Sequence, residues 1–397
     1  MKKQDTNMGN FPNLRFPGFE GDWEVKKLED IAKFYSGGTP LTSKREYFDG
    51  DIPFIRSGEI NSDKTEQFIT EIGLKNSSAK LVEAGDILYA LYGATSGEVG
   101  ISKIDGAINQ AILCIKSTEN HYFIFSFLSH KKEVITRTYL QGGQGNLSAE
   151  IVKQIELSIP SINEQKKISN FLLLMDERIQ TQKKIIEQLK TLMKAIREKV
   201  FSQKLRFKDD KGNYFPDWKL HKLGNLGMFF SGGTPLTSNR KYYQGNIPFI
   251  KSGEINSVKT EQFISEEALK NSSAKMVNVN DILYALYGAT SGEVGMSKLN
   301  GAINQAILCI RTELDNLFLL NYLKLKKENI LNTYLQGGQG NLSSEIIKSL
   351  SVPVPDLKEQ TKIANFLSSI QEKIETEKQI LENLELQKKF LLANLFV

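Results

Sequence analysis

With 397 residues, 40% hydrophobic and 24% charged, the chain has room for about two to four domains and the make-up of a soluble globular protein. No run of about 18 apolar residues occurs, so no transmembrane helix is expected. The net charge of +5 is compatible with DNA binding without demanding it, and so small an excess points to no acid-rich partner.

The N-terminus, Met1-Lys2-Lys3-Gln4-Asp5, leads into polar, Pro/Gly-rich sequence without the apolar core of a signal peptide, so a cytoplasmic location is expected. From Trp23 onward the chain says nearly everything twice. Ser36-Gly-Gly-Thr-Pro-Leu-Thr-Ser43 returns as Ser231-Gly-Gly-Thr-Pro-Leu-Thr-Ser238, a shift of 195 residues that holds without a gap from Trp23/Trp218 to Pro160/Pro355. About two-thirds of the residues from Ser36 to Pro160 equal their partners.

Each copy starts with short β-like runs broken by glycine: Asp51–Ile55, Asp86–Tyr92 and Gly106–Ile115. Gly-rich loops separate them, at Ser36-Gly-Gly, Gly93-Ala-Thr-Ser-Gly and Gln141-Gly-Gly-Gln-Gly. Apolar residues and lysines at helical spacing predict a helix over Phe123–Thr138. Cys114 and Cys309 occupy the same place in the two copies, among alternating apolar neighbours, and read as buried strand residues; neither a disulfide nor a metal site is expected.

After Pro160 comes a stretch free of Gly and Pro to about Gln203, and a second follows Pro355. With Ile168 as heptad position a, the series runs Ile168, Met175, Gln182, Leu189, Ile196, and position e or d adds Phe171, Leu172, Ile179, Ile185, Ile186, Leu192, Met193 and Val200; the second copy gives Ile363, Ile370, Glu377, Leu384, Leu391, flanked by Phe366, Leu367, Ile374, Ile380 and Leu381. A seam held for about five heptads favours a coiled coil. Gln182 and Glu377 interrupt it at equivalent positions, as residues tolerated near a solvated seam or, in the other reading, as a pair that sets the register. The order is head (1–160), long helix (161–204), head (205–355), long helix (356–397). Antiparallel packing of the helices places one head at each end of a rod with a pseudo-dyad through its middle. The expected class is therefore α+β: two similar mixed α/β domains separated by an antiparallel coiled coil, with internal pseudo-two-fold symmetry.

Catalytic motifs are missing. Gly93-Ala-Thr-Ser-Gly-Glu-Val-Gly has no following Gly-Lys-Ser/Thr, no dinucleotide fingerprint occurs, and neither Asn-Pro-Pro-Tyr nor Asp-Pro-Pro-Tyr is present. What is present, in order, is Trp23-Glu-Val-Lys-Lys-Leu, Ser36-Gly-Gly-Thr-Pro, Gly85-Asp-Ile-Leu-Tyr, Gly93–Gly100, Asn109-Gln110 and Pro160-Ser-Ile-Asn-Glu-Gln; the second copy repeats the pattern from Trp218 to Pro355-Asp-Leu-Lys-Glu-Gln, with Asn280 in place of Gly85. This set resembles the specificity subunit of type I restriction–modification enzymes. The resemblance implies two target-recognition domains, each reading half of a bipartite DNA site, with the helices as a ruler between them. It also implies a non-catalytic chain without cofactors of its own. S-adenosylmethionine, ATP and Mg belong to the modification and restriction subunits that dock on it.

Three loop groups have chemistry suited to DNA. The first is Thr42, Ser43, Lys44 and Arg45, repeated as Thr237, Ser238, Asn239 and Arg240. The second is Arg56 and Ser57, repeated as Lys251 and Ser252, with Thr95 and Ser96 (Thr290, Ser291) similar in type. The third is Gln141, Gln144 and Asn146, repeated as Gln336, Gln339 and Asn341. Arginine can pair with guanine and Gln or Asn with adenine, while Ser, Thr and Lys suit phosphates. The plainer account of each residue is that glycines make turns and polar groups cap them. Tyr35, Tyr89 and Tyr92 are candidates for stacking, with Tyr89 and Tyr92 read as packed strand residues. Near-identical heads predict a near-palindromic target. The other readings are a coiled-coil scaffold with two protein-binding heads and an active methyltransferase.

Overall fold

The structure, a computed structural model, describes residues 9–139, 146–334 and 341–397. Glycine and proline cut the first head into ten short strands: β1 (Glu24–Lys27), β2 (Ala32–Ser36), β3 (Phe48–Ile55), β4 (Phe68–Ile69), β5 (Lys80–Val82), β6 (Ile87–Ala90), β7 (Val99–Ile101), β8 (Gly106–Ile108), β9 (Ile112–Ser117) and β10 (Glu156–Ile159). They form a β1-β10 ribbon and two four-stranded sheets, ordered β2-β9-β6-β7 and β4-β3-β8-β5. Pairing is antiparallel except between β3 and β8, which run parallel. The apolar run Gly106–Ile115 is two strands rather than one. Asn109 Oδ1 accepts the Ala111 amide at 3.0 Å and turns the chain between them.

The β6/β9 pair is buried on both faces, and the two-residue period sends alternate side chains to different cores. Ile87, Tyr89, Leu113 and Ile115 meet Phe123, Ile124, Phe127 and Leu128 of the helix His121–Tyr139. Leu88, Ala90, Ile112 and Cys114 meet Ile55, Ile60 and Ile108. Burial pushes the Cys114 and Cys309 thiols up to about 12, the behaviour of small apolar core residues. The second head repeats this layout 195 residues later, strand for strand; the one shortened member is Ile247–Ile250, opposite β3.

Two long helices follow the heads, the central helix Ile162–Phe201 and the C-terminal helix Leu357–Leu395. Packing divides the chain within these helices and not at the head–helix junctions. One unit holds Met1–Lys183 with Ile380–Val397, and the other holds Lys184–Gln379. In the first unit the helices run antiparallel: Lys183 pairs with Glu385 at 2.8 Å, and Asp176 pairs with Lys388. There Ile168 and Leu172 share a core with Leu395 and Phe396. In the second unit Met193 and Val200 share one with Ile363, Ala364, Leu367 and Ile374.

The deepest seam of the central helix is Leu172, Ile179, Ile186, Met193 and Val200, all among the expected e or d positions and four residues after the a series. The assigned series remains on the seam, but Met175, Leu189 and Ile196 are only half-buried. Gln182 and Glu377 are buried, at 8% and 7% exposed, which overturns the expectation of a solvated position.

One feature escaped the sequence reading. Leu14-Arg15-Phe16 recurs as Leu205-Arg206-Phe207, out of step with the main repeat. Arg15 forks onto Glu164 in the first turn of the central helix at 2.8 and 2.9 Å, and its guanidinium also donates to the Gly21 and Glu20 carbonyls. Arg206 does the same to Glu359 of the C-terminal helix, at 3.1 and 3.4 Å, and to Phe215 and Pro216. The two carboxylates are buried, and the negative charge suits a helix N-terminus. Trp218 Nε1 adds a bond to Glu359 at 2.8 Å, whereas the buried Trp23 Nε1 has no partner among the described residues. Leu14 N donates to Asn394 O and Leu205 N to Lys199 O, carbonyls 195 residues apart, so each such segment docks on the last turn of a long helix. Among the described residues no helix is long and apolar enough to cross a membrane.

Candidate nucleic-acid interface

Strand ends collect the loops. β3 and β8 are parallel neighbours with Ile55 opposite Ile108, so Arg56 and Asn109 emerge side by side. The Ser36-Gly37-Gly38 loop closes onto this edge: Gly37 N donates to Asn109 O at 3.2 Å. A Cβ on Gly37 would lie 1.8 Å from the Ile108 carbonyl oxygen, and one on Gly232 would lie 1.8 Å from that of Ile303, so only glycine fits. Leu91 N donates to Ala111 O and Leu147 N to Leu91 O, both at 2.8 Å. Segments 36–39, 91–96, 109–111 and 146–148 thus form one continuous rim, and the second head repeats the bonds from Gly232, Leu286 and Leu342.

The expected residues take different places on or near this rim. Thr42, Ser43, Lys44 and Arg45 are all exposed, as are Thr237, Ser238 and Arg240. Lys44 lies over the Tyr47 ring and 3.9 Å from Glu46; Asn239, its counterpart, caps the following turn by accepting from Lys241 N at 3.2 Å. Ser96 and Ser291 turn inward, donating to the Leu91 and Leu286 carbonyls at 2.9 and 3.0 Å; like Thr95 and Thr290 they are half-buried. Asn146 and Asn341 are exposed. Gln141, Gln144, Gln336 and Gln339 lie outside the described residues.

Arg56 is engaged within its own head. Its guanidinium donates to Glu59 at 3.0 and 3.2 Å and to Glu66 at 2.7 Å. Burial works against the charged form of Glu59, but the Arg56 guanidinium, the Arg56 and Glu66 amides and the Thr65 hydroxyl outweigh it and hold the carboxyl at about 2. Lys251 keeps only a long contact, 3.9 Å, to Glu261, while its amide still donates to Glu254 at 3.0 Å. Ser57 and Ser252 begin the turns at these sites and are half-buried.

Tyr92 departs from expectation. β6 ends at Ala90, so Tyr92 lies beyond the strand and is 37% exposed, whereas Tyr89 is fully buried. Tyr35 donates to Leu81 O at 2.9 Å. Sequence reasoning passed over Gln110 and Gln305 as site residues. Both are exposed, and each amide oxygen accepts from a loop threonine, Thr39 or Thr234, at 2.8 Å. It also passed over Leu41 and Leu236, which are 62% and 66% exposed beside the basic loop residues. The repetition of Asn-Gln and Pro-Leu in both copies was the available signal.

The two copies have not diverged evenly. From Ser36 to Ile115, 17 of 80 residues differ between the heads; in the helix His121–Tyr139, 11 of 19 differ. Rim residues Thr39, Tyr92, Gln110 and Asn146, and Leu41, Thr42, Ser43 and Arg45 in the loop that continues from it, are identical in both, although surface positions usually tolerate change better than packed ones.

Both repeats match the type I restriction modification DNA specificity domain, at residues 20–191 and 216–386. The type I restriction enzyme MjaIX specificity subunit of Methanocaldococcus jannaschii is 26% identical over 312 residues, covering 73% of this chain and 70% of that protein. The crystal structure of a type I restriction-modification S subunit from M. genitalium matches with a TM-score of 0.60 at 18% identity, covering 98% of this chain and 99% of that one. A chain from a study of complex assembly and conformational transition of the type I R-M system matches with a TM-score of 0.61 at 15% identity, covering 96% and 98%.

Proposed function

The chain belongs to the type I restriction-modification DNA specificity family, and we propose that it reads a bipartite DNA site through the two rims and docks the modification and restriction subunits that carry out the chemistry. It is the recognition subunit and not the catalyst. Its place is the cytoplasm, with the DNA it reads.

The observation that carries the reading is the rim and the loop beside it, a largely exposed polar surface that differs between the heads at Lys44/Asn239 but is otherwise nearly the same, above helices that have drifted apart. In this reading Thr42, Ser43, Lys44, Arg45 and Asn146, with Thr237, Ser238, Asn239, Arg240 and Asn341, face the DNA, joined by Gln110 and Gln305. Arg56 and Ser96 shape the loops from within. Two copies of one rim call for two copies of one half-site.

The test uses the chain assembled with its modification subunit. A duplex carrying the methylated sequence should bind at least about a thousandfold tighter than a scrambled one, and affinity should fall with salt as counterions are released. Equal affinity for every duplex, or none for any, would leave the scaffold reading in its place.

A further inference from the structure

The heads share their rims but not the flank of the helix beside them. In the second unit a groove of ≈ 670 Å³ runs between the end of the central helix and the helix Asn316–Tyr334. Lys194, Lys199, Lys204 and Lys326 line it, against two carboxylates, Glu198 and Glu328. Glu328 already faces Lys194 at 3.6 Å. Among the described residues Lys199, Lys204 and Lys326 have no ion-pair partner. The negative end of the central helix favours lysines there without carboxylates.

Two half-buried cations stand next in sequence to the lining. Arg197 donates to a neutral acceptor, Asn321 Oδ1, at 2.8 Å. Burial, and then the Arg197 charge, hold the Lys324 ammonium below its ordinary value; Glu293 and Glu375 pull the other way without offsetting this. The first unit lacks this concentration of charge. In register, Arg197 corresponds to Leu392, Lys199 to Asn394 and Lys324 to Ser129, while Lys194 and Lys326 keep lysines, Lys389 and Lys131.

The groove adjoins the rim of its own head. On the same helix Lys327 pairs with Glu293 at 2.5 Å, and a Cβ on Gly292 would lie 2.9 Å from Leu331. Residues 325–331 therefore carry the groove on one side and touch the 286–293 loop on the other.

We infer that this groove grips the phosphate backbone of duplex DNA beside the half-site read by the second head, so that the second unit holds DNA with more charge than the first. The inference rests on the recognition function proposed above. Amines without carboxylate partners in an open groove suit phosphate oxygens, which require positive charge and no base-specific geometry.

The full chain, assembled with its modification subunit, is titrated by fluorescence anisotropy with target and scrambled duplexes between about 50 and 200 mM salt. Lys199→Gln, Lys204→Gln and Lys326→Gln combined should weaken both duplexes by the same factor. The log–log salt slope should drop by roughly 2–3, at about 0.9 per lost phosphate contact, with the methylated sequence unchanged. Lys131→Gln with Lys389→Gln, in the first unit, should leave the slope unchanged. A wild-type slope in the triple variant overturns the inference. So does a triple variant that binds the modification subunit more weakly while the assembled complex keeps the wild-type salt slope, which makes the groove a protein-docking face. Should the triple variant melt early, Lys204→Glu alone should lower the slope, and an unchanged slope there overturns the inference equally. A wild-type complex with no sequence preference would instead strike down the recognition function.

Discussion

Arg56 has the donor geometry for guanine, yet its guanidinium is forked onto Glu59 and braced by Glu66. The Glu59 carboxyl, held at about 2 against an ordinary 4.5, stabilises the first head fully above the ordinary value. That contribution disappears as the pH falls from 4.5 toward 2. Urea melts of wild type and Glu59→Gln should therefore differ at pH 6 and converge on acidification; a gap that stays constant with pH would refute the assignment. Gly37 makes a second residue-scale prediction. With the Ile108 carbonyl 1.8 Å from any added Cβ, Gly37→Ala should cost about 1–3 kcal/mol in thermal melts, and Gly232→Ala the same. How far such residues could be read in advance depended on range. The loop status of Thr42 to Arg45 followed from the flanking Gly-Gly-Thr-Pro, a local signal. The Arg56 fork reaches Glu66 across a turn, and Thr39 meets Gln110 only because β2 and β9, far apart in sequence, pair in one sheet.

Among the elements, the long helices were the most legible part of the chain, because a heptad is a local repeat. Their depth was less so. The sequence contains both Ile168, Met175, Leu189 and Leu172, Ile179, Ile186, and only packing shows that the second series lies deepest. The arginine anchors were out of reach for the same reason: Arg15 and Glu164 stand 149 residues apart. They are also where the fold is most exposed to a single change. Arg15→Ala leaves Glu164 buried and unpaired, so it should cost about 3–5 kcal/mol and separate the melting of the first unit from that of the second. A loss below about 1 kcal/mol, the usual value for a surface pair, would show the anchor to be dispensable.

For the whole molecule, the architecture follows from a duplicated head plus helix. Residues 1–204 contain one head, its anchor and one long helix, but lack the partner segment Ile380–Val397 that completes the first unit. A second copy of the same helix can supply that segment, so this half-chain should run as a dimer in light scattering at micromolar concentration; a monomer would show that the two helices are not interchangeable. The duplication also sets the central claim, that two near-identical rims read nearly the same half-site twice. Sequencing the methylated DNA of cells that carry this chain with its modification subunit tests it directly. The account predicts one bipartite motif whose halves are near inverted repeats around an unread spacer, and two unrelated half-sites would contradict it.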